Sequence, residues 1–188
     1  QNSKQNYLIS KIKQFFFSNG WEPLPYQVES WKAFLNGENG IIQVPTGCGK
    51  TYAALMGPLS QIEDPKNNKS VQILLITPLK ALSRDLKNSI QLAAFHFNKE
   101  ITVEIRNGDT TSYEKKKQLS KPPNILITTP ESLSLLLSNK ESNNLFKELS
   151  SIIIDEWHEL MGSKRGNQCE LSLSWLRGNI KNLQIWAM

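Results

Sequence analysis

Among 188 residues there are only two cysteines, Cys48 and Cys169, and two histidines. So few thiols make no disulfide framework, and a reducing, cytoplasmic setting is expected. No apolar run approaches the ~20 residues of a membrane span, so no membrane partner is expected. Gln1 to Asn6 are polar and open no signal-peptide pattern. Internal repeats and low-complexity tracts are missing, which sets repeat architectures aside. Acidic residues are the minority: 17 Asp and Glu against 22 Lys and Arg leave a formal net charge of +5. That balance favours a polyanionic partner without identifying one. What is there, with 39% hydrophobic residues, is enough for one globular domain with a proper core.

Two helices come first. Leu8, Ile12, Phe15 and Phe16 recur at helical spacing between Tyr7 and Phe17, and Gly20 supplies a C-terminal stop. After the proline-stiffened stretch Trp21–Pro25, a second helix starts near Tyr26, with Val28, Trp31 and Leu35 on one face and Gly37 at its end. From there short apolar runs alternate with amphipathic ones. Strands are expected at Ile41–Val44, Val71–Ile76, Ile101–Ile105, Ile125–Thr128, Ile152–Ile154 and Leu183–Ala187. Helices are expected after Thr51, broken or kinked at Gly57-Pro58, then from about Leu79 to Phe95, from Thr129-Pro130-Glu131 through the apolar Leu133–Leu137, and from about Gln168 to Leu176. The polar helix carrying Lys115, Lys116 and Lys117 reads as a solvated face, and His96 as a core histidine. The alternation gives an α/β fold: a mostly parallel sheet with helices on both faces.

One stretch organises the rest. Val44-Pro45-Thr46-Gly47-Cys48-Gly49-Lys50-Thr51 stands between a strand and a helix start, the context a phosphate-binding loop requires. Gly47 and Gly49 let the backbone curl so that successive N–H groups point inward, and the helix adds its positive end. Lys50 is placed for β- and γ-phosphates, and Thr51 offers a hydroxyl to Mg²⁺. Val44 departs from the strict pattern, where Gly or Ala is usual. Such a loop alone does not choose between kinase, GTPase and motor.

A second motif narrows the choice. Asp155-Glu156-Trp157-His158 also falls at a strand end, where ligands of parallel sheets gather. Asp155 is expected to hold Mg²⁺ and Glu156 to polarise an attacking water. No Asn-Lys-x-Asp motif is present to read guanine. A Glu placed to activate water fits hydrolysis better than transfer to a small acceptor.

With these residues in view the chain resembles superfamily 2 helicases. Pro45–Thr51, Thr77-Pro78-Leu79-Lys80-Ala81-Leu82, Thr128-Thr129-Pro130-Glu131-Ser132-Leu133 and Asp155–His158 are similar to motifs I, Ia, Ib and II, in order. The stretch Asp155–Gly166, with Arg106-Asn107-Gly108-Asp109-Thr110 and Pro25-Tyr26-Gln27, resembles the large helicase-related (Lhr) family and its DNA-ligase-associated branch.

The resemblance implies a RecA-like ATP-binding domain over 1–188, with a helical lead-in over 1–36. It implies that the second RecA-like domain, which carries the arginine fingers, lies outside this chain, and that 1–188 alone hydrolyses ATP poorly. ATP and Mg²⁺ are the implied cofactors: Thr46, Gly47, Cys48, Gly49, Lys50 and Thr51 cradle the phosphates, Gln27 reads adenine, and Thr51 and Asp155 serve the metal. Lys50, Asp155, Glu156 and His158 are the implied catalytic set, His158 coupling nucleotide to nucleic acid. Thr77, Pro78, Lys80, Gly108, Asp109, Thr110, Thr129 and Glu131 are implied to shape a nucleic-acid track, for DNA more than RNA. For each of these a plain cap or turn residue is an equal reading. The implied activity is 3′-to-5′ translocation or unwinding in DNA repair, with a DNA ligase or repair nuclease as partner. A nucleotide-dependent clamp that grips nucleic acid without unwinding is the alternative.

Overall fold

The computed structural model describes residues 2–78, 82–140 and 142–188. Lys80 therefore lies outside the described residues, and the side chain of Leu82 does as well. In chain order the elements are α1 (Asn2–Ser18), α2 (Pro25–Leu35), β1 (Gly40–Ile41), α3 (Lys50–Ser60), β2 (Ile73–Ile76), α4 (Leu82–Phe97), β3 (Val103–Arg106), α5 (Ser112–Ser120), β4 (Ile125–Thr128), α6 (Pro130–Leu137), α7 (Ser142–Leu145), β5 (Ser151–Ile154), α8 (Trp157–Leu160), α9 (Lys164–Asn179) and β6 (Gln184–Ala187). The strands form one sheet in the order β1-β6-β5-β2-β4-β3, and every pairing among them is parallel. Among the described residues no helix is long and apolar enough to cross a membrane.

Strand periodicity sorts the core into two layers. Ile73, Leu75, Ile125, Ile127, Ile153 and Trp186 face one way, into a layer shared with α1, α2, α3 and α4. Leu74, Ile76, Leu126, Ile152 and Ile154 face the other way, against Leu133 and Leu136 of α6 and Cys169 and Leu176 of α9. β2, β4 and β5 are buried at every position, which is why they read as unbroken apolar runs rather than alternating ones.

Several local expectations hold to the residue. Thr129 caps α6, accepting from the Ser132 amide, with Pro130 in the first position. Gly20 and Gly37 take left-handed φ of 71° and 85° past the ends of α1 and α2. The α5 run is polar and largely exposed, as a solvated face should be. His96 is half-buried, its Nε2 3.1 Å from the Lys11 carbonyl and its ring edge-on to Phe15, so it bridges α4 to α1.

Others are corrected. The expected strand Ile41–Val44 shrinks to Gly40–Ile41, and Ile41 is 62% exposed. It is an edge strand paired only to β6; the Ile42 amide adds one last bond to the Ala187 carbonyl at 2.8 Å before the chain enters the phosphate loop. Gly57-Pro58 neither ends nor breaks α3, which runs to Ser60. Pro58 falls in the last turn, and that turn is buried against α2: a Cβ on Gly57 would stand 2.8 Å from the Phe34 ring. Tertiary packing outweighs the lost hydrogen bond. Leu135 is 75% exposed within a run expected to be buried, because α6 turns Leu133 and Leu136 inward, with Leu137 partly covered, and Leu135 away from them. Helix α9 starts at Lys164, inside the expected loop, because the Ser163 hydroxyl caps the Gly166 amide at 3.0 Å.

Candidate functional site

β6 lies between β1 and β5, and the segments that leave the carboxyl ends of β1 and β5 flank a crevice above it. After β1 the backbone runs extended to Thr46, then curls through Gly47 and Gly49 at φ of 83° and 80° into α3. Gly49 is required twice over: its φ is left-handed, and a Cβ there would lie 2.6 Å from Gln27 Nε2. Lys50 is the first residue of α3 and Thr51 the second.

Helix α2 braces this loop from below. The Tyr26 hydroxyl donates to the Cys48 carbonyl, Gln27 Nε2 to the Gly49 carbonyl at 3.0 Å, and Trp31 Nε1 to the Tyr52 carbonyl at 2.9 Å. Gln27 is 3% exposed, and its Oε1 accepts from the Leu24 amide at 2.9 Å, closing the N-terminus of α2. Burial, then the nearby Cys48, raises the Tyr26 phenol, which stays a donor. The bracing by Tyr26 and Trp31 has no signature in the sequence beyond their place on α2.

At the end of β5 the Asp155 amide donates to the Ile76 carbonyl at 2.8 Å, holding the acidic motif against β2. Glu156 takes a left-handed conformation, φ 52° and ψ 44°, uncommon for a residue with a side chain. The kink sends the chain into α8 and sets Glu156 Oε2 3.3 Å from His158 Nε2. Glu156, His158 and Glu159 bring one ligand atom each within 4.8 Å of one another. The Asp155 carboxyl is pushed up, first by burial and then by the Glu156 charge; the Lys50 ammonium and the Thr77 hydroxyl pull the other way. Lys50 and Asp155 are thus near enough to feel each other across the crevice. Thr77 Oγ1 is close to Asp155 yet is buried with no hydrogen bond of normal geometry.

A cleft of about 480 Å³ opens beside these residues, lined by Val44, Pro45, Thr46, Lys50, Trp157 and His158 among others. A larger groove of about 600 Å³ runs between the β1 edge and α9, past Ile41, Leu173, Glu170 and Arg177. The larger one touches no phosphate-loop residue, so the smaller cleft is the candidate nucleotide site.

Of the residues expected along a nucleic-acid track, those among the described residues follow the carboxyl ends of the neighbouring strands β2, β4 and β3. Their side chains are less available than the sequence implies. Thr77, Pro78 and Thr129 are buried, and the Thr129 hydroxyl is committed to its cap. Gly108 and Asp109 are exposed in a turn that Asn107 and Thr110 hold together, with Asn107 Oδ1 accepting from the Asp109 amide at 2.9 Å and Thr110 Oγ1 from the Asn107 amide at 2.9 Å. Arg106 points inward to the Lys115 carbonyl and Gln118, and burial lowers its pKa. Glu131 is paired with Arg165 of α9, a residue inside the Asp155–Gly166 stretch to which the motif reading gave no role.

The chain's similarities point one way. A family model described as DEAD/DEAH box helicase matches residues 24–188. An ATP-dependent helicase Lhr-Core of Sulfolobus acidocaldarius is 40% identical over 140 residues, 69% of this chain and 16% of that protein. A protein of Mycolicibacterium smegmatis named Lhr helicase/probable uracil glycosylase is 33% identical over 176 residues, 87% of this chain and 12% of its own length. The chain thus spans less than a fifth of either relative. Mycobacterium smegmatis helicase Lhr, solved bound to ssDNA and AMP-PNP, superposes with a TM-score of 0.84 at 30% identity, over 94% of this chain and 24% of that one.

Proposed function

The chain belongs to the DEAD/DEAH box helicase family, and from that premise we propose that it is the ATP-binding wall of an ATP-driven, Lhr-like DNA helicase or translocase. The observation that carries the reading is the pairing of two strand ends. The β1 end delivers the phosphate loop and Lys50, the β5 end delivers Asp155 and Glu156, and Lys50 lines one cleft with Trp157 and His158, the residues that follow them. Thr46 to Thr51 wrap the phosphates with backbone N–H groups, and Lys50 neutralises the β- and γ-phosphates. Gln27, expected to read adenine, is buried with both side-chain groups bonded to Leu24 and Gly49, so it supports the loop from α2 and would have to give up one of those bonds to meet the base.

Mg²⁺ fits the donor set. Asp155 and Glu156 are hard oxygen donors crowded at one strand end, and burial with mutual repulsion already disfavours the charged Asp155. Thr51 and Asp155 would hold the ion. When bound it neutralises phosphate charge and orients the transferring group. Glu156 polarises the attacking water, and His158, 3.3 Å away, holds that carboxylate in place.

Nucleic acid lies across the ends of β2, β4 and β3, where turn amides and the α6 N-terminus meet phosphates without reading bases. The ssDNA-bound Lhr structure supports DNA over RNA, the motif resemblance supports 3′-to-5′ travel and a repair role beside a ligase or nuclease, and the scarcity of thiols supports a cytoplasmic site of action. A second RecA-like domain closes the other side of the nucleotide and brings the arginine fingers. Fingers of this kind contribute ~10³ to 10⁵ in rate, so residues 1–188 alone turn over little ATP.

The experiment is a pair of substitutions in the full-length protein. Lys50→Ala should abolish productive Mg-ATP binding. Glu156→Gln should retain binding and slow turnover by ~10²-fold or more. Unchanged steady-state ATPase in either variant would remove the basis for the site.

A further inference from the structure

Arg165 stands in the first turn of α9, and its guanidinium bonds to two distant parts of the chain. Nε and Nη2 both donate to the Glu131 carboxylate, the Nη2–Oε2 bond measuring 3.2 Å, and Nη2 also donates to the Pro78 carbonyl. Pro78 follows β2, and Glu131 sits in the first turn of α6 after β4, so one side chain ties two neighbouring strand ends. Partial burial alone would raise the Glu131 carboxyl. The Arg165 bond, with the backbone amide and Thr129, outweighs it and holds the acid below its usual range.

The other end of this tie is joined to the acidic motif. Ser163 donates to the Leu160 carbonyl at 2.8 Å and accepts from the Gly166 amide at 3.0 Å. Gly166 lies so close to Leu160 that a Cβ would stand 1.9 Å from its carbonyl oxygen. Leu160 ends α8, which begins directly after Glu156. On the β2 side, Thr77 is fully buried between Pro78 and Ile76, and the Ile76 carbonyl accepts from the Asp155 amide at 2.8 Å. A closed ring of contacts therefore runs from Asp155 and Glu156 through α8 to Arg165, across to Pro78, and back through Thr77.

We infer that Arg165 is a positioning residue that couples the nucleotide site to the nucleic-acid track, by holding Pro78 and Glu131 in fixed register with the acidic motif. The inference rests on the functional reading above. It also changes the part played by Glu131: a bare carboxylate on a phosphate track repels it, and here that charge is taken up by Arg165. Arginine suits the task where lysine does not. Its planar fork presents Nε and Nη2 side by side to a carboxylate and still has a donor for a carbonyl, whereas an ammonium is a point charge.

Coupling is measured as a ratio of affinities. For the full-length protein the Kd of AMP-PNP is determined with and without a single-stranded oligonucleotide, and the Kd of the oligonucleotide with and without AMP-PNP. Linkage makes the two ratios equal, and typical values run from about 5- to 150-fold. Arg165→Ala and Arg165→Lys should each bring the ratio to within about twofold of one while AMP-PNP affinity in the absence of DNA stays near the parent's. The exchanged pair Arg165→Glu with Glu131→Arg should recover part of the ratio. A parent that is coupled and an Arg165→Lys variant coupled equally would overturn the role of Arg165 and leave the helicase reading standing. Loss of thermal stability and of both affinities in step, with the ratio kept, would mark Arg165 as merely structural and overturn the inference too. A parent that binds no oligonucleotide or shows no coupling would overturn the helicase reading and this inference with it.

Discussion

Helix α9 contains two glycines for which the same substitution should have opposite effects. At Gly166 a methyl group would stand 1.9 Å from the Leu160 carbonyl oxygen, where ordinary contact begins at 3.4 Å, a deficit of about 1.5 Å against backbone. Either α9 or the turn after α8 must move. Overpacking of this kind costs ~1–3 kcal/mol, and the displaced Ser163–Leu160 hydrogen bond adds ~1 kcal/mol. Alanine's helix propensity returns ~1 kcal/mol. Gly166→Ala should therefore destabilise by ~1–3 kcal/mol net, and for a domain of this size each kcal/mol lowers Tm by ~2–4 °C. Gly178 has nothing within 4 Å of a built Cβ and no left-handed φ. Gly178→Ala should be neutral or stabilising by a few tenths to ~1 kcal/mol, tempered by its place in the last turn. Urea and thermal melts followed by circular dichroism compare both variants with the parent. A Gly166→Ala protein melting within a degree of the parent, or a Gly178→Ala protein falling as far, would refute the close approach of α9 to Leu160 and the tie built on it.

Three further outcomes follow from the geometry. Because burial, then Glu156, raises the Asp155 pKa above its unfolded value of 3.8, the carboxyl's stability contribution is full below that value and is lost as pH rises through the folded pKa. In EDTA, Asp155→Asn should thus melt above the parent at pH 7, with the difference closing towards pH 4; a lower Tm at pH 7 would contradict the burial argument. Tyr26→Phe keeps the ring but releases the Cys48 carbonyl, so affinity for an ATP analogue should weaken by about fivefold, the worth of one hydrogen bond of ~1 kcal/mol; an unchanged Kd would show that the loop needs no brace. Cys48 is partly exposed, whereas Cys169 is buried with its thiol pushed up to about 11, so mass-mapped alkylation should mark Cys48 first and Mg-ATP should slow it. Equal rates at the two thiols, or no protection by nucleotide, would count against the loop as the phosphate site.

Local chemistry made much of this protein readable. Thr129-Pro130-Glu131 marks the start of α6 to the residue because capping is decided within one turn of backbone. The buried strands β2, β4 and β5 are legible because all their faces are covered, and the phosphate loop and acidic motif because they follow strands. Sheet order was not readable: β6, the last strand in the chain, inserts between β1 and β5, a choice made by packing between segments far apart in sequence. The same holds for Pro58, retained inside a helix because α2 covers its last turn, and for Leu135, left outside because α9 covers only the opposite side of α6. It holds most for Arg165. In the sequence it is one cation in a glycine-flanked loop, and its partners lie 34 and 87 positions away. Motif order puts the phosphate loop and the acidic motif each at a strand end, since each motif carries its own strand. Which side chain joins those strand ends to one another is decided only when α9 packs on α6 and brings Arg165 to Pro78, because a contact between distant segments leaves no period, cap or spacing in either one.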